Sequence, residues 1–292
     1  MNVMLGLANG NIPTDPSAFT PQLVASWEAQ GIRCLAVAFA QPYGDVPSST
    51  WHDLRHMLAD GGVAISQFTG VNANLVHSDV QVREQGLRRV ADAIPAAEAL
   101  GATMIASGCG TNHPNWAEHF YGPAPLNHAP ETEDRLVESL RHVADLIADS
   151  NLLYAIECHQ LSTMRSPEVI RDVLDRVDSA QIVANFDPVN LLDSANAAYT
   201  NGDRIRHMIR TVGPRYGPSC HVKDLAVGTG FICHLDEVAP GEGLLDFGAL
   251  FEAVLALPGP TALIVEHLPA GRTDAAVAFV RNAARDHGLE LV

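Results

Sequence analysis

The sequence is short of positive charge. Its 18 lysines and arginines stand against 34 aspartates and glutamates, a formal net charge of −16 over 292 residues. Such a surface repels phosphate backbones and argues against nucleic acid as a partner. No apolar run approaches the roughly 20 residues of a membrane helix, and the start of the chain has no basic leader followed by an apolar stretch. No membrane association is expected, and the expected location is cytoplasmic. Cysteine is sparse and odd in number (Cys34, Cys109, Cys158, Cys220 and Cys233), with no CxxC pair. Buried, reduced thiols are expected rather than a disulfide framework. Two further motifs are missing. No GxGxxG follows the first apolar run, and GxxxxGK[ST] occurs nowhere, which disfavours an open nucleotide-binding sheet.

What is present is an alternation of short apolar runs with longer, helically spaced segments. Eight strands are predicted: Val3–Leu7, Cys34–Phe39, Ala64–Phe68, Thr103–Ala106, Leu152–Glu157, Gln181–Phe186, Ser219–Val222 and Ala262–Glu266. Most are apolar on both faces, as in a parallel sheet covered by helices. Helix starts are readable at Thr20-Pro21, at Ser166-Pro167-Glu168 and at Asp246, where a side-chain oxygen precedes the first turn. Ile170, Val173, Leu174 and Val177 form one apolar face. Leu136, Leu140, Val143 and Ile147 form another, in a helix after Thr132. Pro95 lies within a helical pattern and predicts a kink there. A βα repeat of roughly 30–40 residues without linkers predicts a single (β/α)8 TIM barrel over residues 1–292. The longest loop, 108–131, carries Asn112, His113, Trp116, His119 and His128, and loops of that length are usually functional.

Barrel active sites sit at the C-terminal ends of the strands. Strand five ends at Glu157, strand six at Asp187 and strand eight at Glu266, and strand seven contains His221. Three carboxylates and an imidazole at one level form a hard, oxygen-rich set. It suits Mn²⁺ or Mg²⁺ and tolerates Co²⁺ or Zn²⁺. Without a cation the carboxylates would repel one another. One divalent ion is therefore expected, Mn²⁺ first, held by Glu157, Asp187, His221 and Glu266. It would leave coordination positions for a carbonyl and a neighbouring hydroxyl. His159 lies two residues past Glu157 and is a candidate base. Lys223, two residues past His221, is a candidate substrate-binding residue, as are Asn190 and His113. Gln41 and Asn72 are weaker candidates. His267 is expected to point away from the barrel axis.

The runs Ile156-Glu157-Cys158-His159, Phe186-Asp187-Pro188-Val189-Asn190, His221-Val222-Lys223-Asp224, Pro240-Gly241-Glu242-Gly243-Leu244-Leu245-Asp246-Phe247 and Val265-Glu266 carry a family resemblance. The chain resembles the xylose isomerase-like barrels of the sugar-phosphate isomerase/epimerase group, along nearly its whole length. The resemblance implies the same four metal ligands, with Glu157 and Glu266 as the acid/base pair. Two positions depart from the ketose 3-epimerases, which carry a histidine where Asn190 stands and an arginine where Val227 stands. The Asp-Pro-Val-Asn form looks more like members acting on keto-cyclitols or 3-keto-glycosides. The expected function is a metal-dependent isomerase or epimerase that abstracts a proton beside a carbonyl of a sugar-like small molecule. The alternatives are a lyase or dehydratase of the C-glycoside deglycosidase type, which would work with a small β-subunit, and a non-catalytic sugar-binding barrel. Homo-oligomers are implied by the resemblance alone.

Overall fold

The computed structural model describes residues 2–8 and 12–292. Ten strands occur among them: β1 (Val3–Ala8), β2 (Cys34–Val37), β3 (Ala64–Phe68), β4 (Met104–Gly108), β5 (Leu153–Glu157), β6 (Ile182–Phe186), β7 (Tyr216–Val222), β8 (Asp224–Val227), β9 (Leu235–Val238) and β10 (Thr261–Val265). Eight of these close into a parallel barrel in the order β1-β10-β7-β6-β5-β4-β3-β2, giving a single (β/α)8 TIM barrel. The other two, β8 and β9, pair antiparallel as a hairpin that leaves the end of β7. The sequence pattern treats that hairpin as loop, because it is short and only partly apolar.

The helices are α1 (Pro21–Ala29), α2 (Ser48–Asp60), α3 (Val80–Leu100), α4 (Pro130–Ile147), α5 (Pro167–Val177), α6 (Ala195–Tyr199), α7 (Asn201–Val212), α8 (Phe247–Ala256) and α9 (Ala270–Asp286). The caps read from the sequence are formed. Thr20, Ser166 and Asp246 accept hydrogen bonds from the backbone N–H groups of Leu23, Val169 and Ala249, each satisfying one otherwise orphaned donor. Helix α4 starts earlier than expected. It begins at Pro130, and Thr132 lies inside it, buried, with its hydroxyl donating to the Leu126 carbonyl. Helix α3 runs unbroken through Pro95. Pro95 removes the donor to the Ala91 carbonyl, and Ala91 and Pro95 both line an open cleft.

Period-two alternation divides each strand between two cores. Val3, Leu5 and Leu7 of β1 pack outward into the large core shared with the helices, while Met4 and Ala8 point into the barrel with Cys34, Ala36, Ala262 and Ile264. Met104, Ala106, Leu153, Ala155 and Val183 make a second interior group. Cys34, Cys109, Cys158 and Cys220 are buried free thiols as expected, whereas Cys233 lies in the turn between β8 and β9 and is exposed.

Candidate metal centre

The inward parity that places Ala155, Val183, Ser219 and Ile264 inside the barrel continues to the strand ends. Two residues on from Ala155 is Glu157, and two from Ile264 is Glu266. Four on from Val183 is Asp187, and two from Ser219 is His221. The donor atoms of Glu157, Asp187, His221 and Glu266 all lie within 4.8 Å of one another. His221 Nδ1 sits 2.9 Å from Glu266 Oε2, 3.6 Å from Asp187 Oδ2 and 4.0 Å from Glu157 Oε1. Asp187, His221 and Glu266 are buried and Glu157 is half-buried.

Oxygen and nitrogen donors around an octahedral ion with bonds of about 2.1 Å lie roughly 3–4.2 Å apart, so the cluster is near the required size. The chemistry of the donors fits as well. Asp187 Oδ2, His221 Nδ1 and Glu266 Oε1 are buried and make no aligned hydrogen bond; their close neighbours are ionic groups, which leaves their lone pairs available to a ligand. Behind His221, its Nε2 lies 3.0 Å from Gln67 Oε1 and 3.0 Å from the Asn185 amide. Gln67 in turn donates to Asn185 Oδ1 and Ser219 Oγ. With Nε2–H donated to Gln67, Nδ1 is the nitrogen left for a ligand bond, a common way of fixing a metal-binding imidazole.

The protonation states show how the chain handles this much negative charge. Burial alone would depress the His221 imidazole, but Glu266, Asp187 and Glu157 outweigh it and hold it up at about 10. Burial would raise Glu266, yet His221 and Lys223 hold it well below the usual carboxylate range. Burial opposes the charge on Lys223, and Asp187 and Glu266 restore it, so this ammonium stays protonated far into alkali.

Lys223 is the only lysine in the chain. Its Nζ lies 2.9 Å from Asp187 Oδ2, 2.8 Å from Glu266 Oε1 and 3.0 Å from Asn190 Oδ1, with 1% of the side chain exposed. The two carboxylate contacts are close ion pairs that lie off the hydrogen-bond line, and the bond to Asn190 is aligned. Asn190 passes the contact on, since its amide donates to Glu157 Oε1 at 3.2 Å.

A cavity of about 340 Å³ opens above the donors, at the small end of the roughly 300–1,000 Å³ usual for ligand sites. Small residues on one side, Ala8, Ala36 and Ala106, leave the space, and Glu157, His159, Asn190, His221, Lys223 and Glu266 border it. Burial, and then the charge of Lys223, keep the His159 imidazole below its ordinary value and so neutral. Asn72 also lines the cavity. Gln41 borders an outer cleft of about 960 Å³ instead.

Two expectations change. His113 does not border the cavity. Its Nδ1 accepts from Asn115 N–H and its ring packs edge-on against His119 at 5.1 Å, so it folds the loop upon itself. His267 does border the cavity. It follows the end of β10 and has φ +58°, and that left-handed turn breaks the alternation that would have sent it outward. Its Nδ1 lies 3.1 Å from both carboxylate oxygens of Glu237 on β9.

Sequence reasoning missed Tyr121, Glu237 and the Gln67–Asn185–Ser219 group. Tyr121 donates to Glu157 Oε2 at 2.6 Å. Tyr121 is 40% exposed overall; desolvation on its cavity side first, then the neighbouring Glu157, push its phenol above the ordinary value, so it remains a donor. Its ring covers Gly108, where a Cβ would come within 2.5 Å of Tyr121 Cε1. Asp224 has a different task. Its carboxylate accepts from the N–H groups of Leu225, Gly241, Gly243 and Leu245 at 2.8–3.0 Å, and so moulds the 240–245 loop.

Residues 22–290 match the family model of the xylose isomerase-like TIM barrels. No curated protein is matched significantly in sequence. Among solved structures, the fold is similar to that of D-psicose 3-epimerase from Clostridium cellulolyticum H10 with D-tagatose (14% identity, 98% of each chain, TM-score 0.69). It is also similar to a xylose isomerase-like TIM barrel protein from Mycobacterium smegmatis in complex with magnesium (16% identity, 97% of this chain and 95% of that one, TM-score 0.69). A third similar structure is 3-keto-D-glucoside 4-epimerase from E. coli (15% identity, 96% of this chain and 100% of that one, TM-score 0.66). At these identities the likeness establishes the fold.

Proposed function

The chain belongs to the xylose isomerase-like TIM barrel family, and from that premise we propose that it is a divalent-metal-dependent isomerase or epimerase. Its substrate is a keto-sugar or related polyol, and the reaction moves a proton on the carbon beside the carbonyl. The observation that supports this most is the convergence of Glu157, Asp187, His221 and Glu266, whose ligand atoms lie within 4.8 Å of one another, with Asp187 Oδ2, His221 Nδ1 and Glu266 Oε1 making ionic contacts but no aligned hydrogen bond. Glu157, Asp187, His221 and Glu266 would hold the ion, Mn²⁺ first, and when bound it supplies polarisation of the substrate carbonyl.

The remaining roles fall to the side chains. Glu266 is held ionised by His221 and Lys223, the state in which a carboxylate can accept a proton. Glu157, the partner acid/base, is oriented at both oxygens, by Tyr121 on Oε2 and Asn190 on Oε1. His159 is neutral and borders the cavity, where it can exchange a hydrogen bond with a substrate hydroxyl.

One observation favours a second outcome after the same first step. The Tyr121 phenol beside Glu157 is a hydrogen-bond donor bordering the cavity, and it could steady a departing oxygen in a lyase or dehydratase. The test is deuterium incorporation from D₂O into a panel of keto-sugars and 3-keto-glycosides by the Mn²⁺-loaded protein. Exchange beside the carbonyl is expected, and it should vanish in Glu157→Gln and in Glu266→Gln. Full exchange in Glu157→Gln would contradict the proposal, and release of a leaving group would select the second outcome.

A further inference from the structure

We infer that the cavity takes an uncharged polyhydroxylated carbonyl compound and turns away phosphate monoesters, and that Glu237 on the β8–β9 hairpin is the specificity-determining residue. The inference rests on the proposed function for its location and adds the charge of the substrate and the residue that sets it.

The charges at the mouth are nearly all committed. Glu157, Glu237 and Glu266 line the cavity with Asp187 beside them, and among the described lining residues there is no arginine. The one ammonium, Lys223, lies against Asp187, Glu266 and Asn190 and is almost fully buried. A divalent ion with this lysine against four carboxylates leaves one net negative charge, which only a protonated His267 paired with Glu237 would cancel. His267 is occupied too, by Glu237 at 3.1 Å.

Barrels that bind phosphate commonly use backbone amides in the loops after the seventh and eighth strands, with the N-terminus of a short helix. Here the loop after β7 has already spent those amides. Leu225, Gly241, Gly243 and Leu245 all point their N–H groups at the Asp224 carboxylate, an anion built into the chain. The same segment then projects Glu237 to within 3.8 Å of Lys223 Nζ. The strand that follows, β10, contributes Glu266. An anionic group entering beside the 224–245 segment would meet the carboxylates of Glu237 and Glu266 and find the amides around Asp224 already taken. Hydroxyl groups meet the opposite condition, because each can donate to a carboxylate oxygen.

The test is a calorimetric titration of the Mg²⁺-saturated protein with D-xylulose and with D-xylulose 5-phosphate, in the wild type, Glu237→Gln and Glu237→Lys. The Glu237 side chain is 38% exposed, so the substitutions change charge at a surface hairpin, and a melting curve checks that each variant is folded. The wild type should bind D-xylulose at least about tenfold more tightly than its phosphate. Glu237→Lys should shrink that ratio by at least about tenfold, with Glu237→Gln between. Phosphate bound as tightly as the free sugar by the wild type would overturn the inference. So would a ratio unchanged in Glu237→Lys, or no binding of D-xylulose. A protein that prefers the neutral sugar yet exchanges no proton would refute the proposed reaction and leave this inference standing.

Discussion

Loading the site with metal must displace a proton from His221. The imidazole is held at about 10 by the surrounding carboxylates, so in the metal-free protein it is protonated at neutral pH, and Nδ1 must be bare to bind an ion. At pH 7 that deprotonation lies three pH units below the midpoint and costs about 4 kcal/mol, at about 1.36 kcal/mol per unit. The apparent affinity should therefore rise about tenfold for each pH unit below the midpoint. Between pH 6 and pH 8.5 the gain is roughly 300-fold, because 2.5 units are crossed. The assay is calorimetric titration of the metal-free protein with Mn²⁺ at several pH values. Repeating it in two buffers of different ionisation enthalpy counts the protons released, with about one expected per ion. An affinity independent of pH over this range, with no proton released, would refute the account of His221 as a protonated placeholder for the ion.

Other consequences follow from the same contacts. Because the folded His221 value lies above the unfolded one of about 6.5, its contribution to the metal-free fold is complete below that pH and is lost as the pH rises through about 10; melting temperature should fall over that window without metal and much less with it. Tyr121→Phe removes a hydrogen bond to a carboxylate worth about 1.5–3 kcal/mol, so exchange should slow about tenfold or more while metal content is kept. Gly108→Ala would place a Cβ 2.5 Å from the Tyr121 ring; it should reproduce the Tyr121→Phe loss and add little to it in the double variant, and additive losses would argue against a shared cause. Gly243→Ala would bring a Cβ 2.2 Å from the Leu225 carbonyl oxygen and 2.3 Å from Asp224 Oδ1. It should lower stability by about 2 kcal/mol or more, seen as a drop of several degrees in melting temperature.

The four donor positions were readable because each is a polar residue at or near the end of an apolar strand, and period two then fixes its direction. Gln67 carried a comparable signal, as a long polar side chain inside the buried run Ala64–Phe68, but an amide in a strand does not announce its partner. Tyr121 was hidden by the histidines of its own loop. His113 has the chemistry of a ligand, yet where a loop turns depends on contacts such as its bond to Asn115 N–H, which leave no periodic trace. His267 shows the limit of alternation itself, since one residue at φ +58° reverses the direction that counting predicts. Glu237 reaches the mouth through an antiparallel hairpin, an excursion that a βα repeat does not encode. Asn190 was singled out as a departure from the epimerase pattern, and its place between Lys223 and Glu157 gives it a contact with each that only coordinates reveal.

The central claim is that these four side chains hold one divalent ion. Elemental analysis of protein purified without added metal, beside Glu157→Ala and His221→Ala, tests it most directly. The account predicts close to one ion per chain in the wild type and loss of that ion in both variants. A wild-type protein that contains no metal and binds none on titration with Mn²⁺ would contradict it.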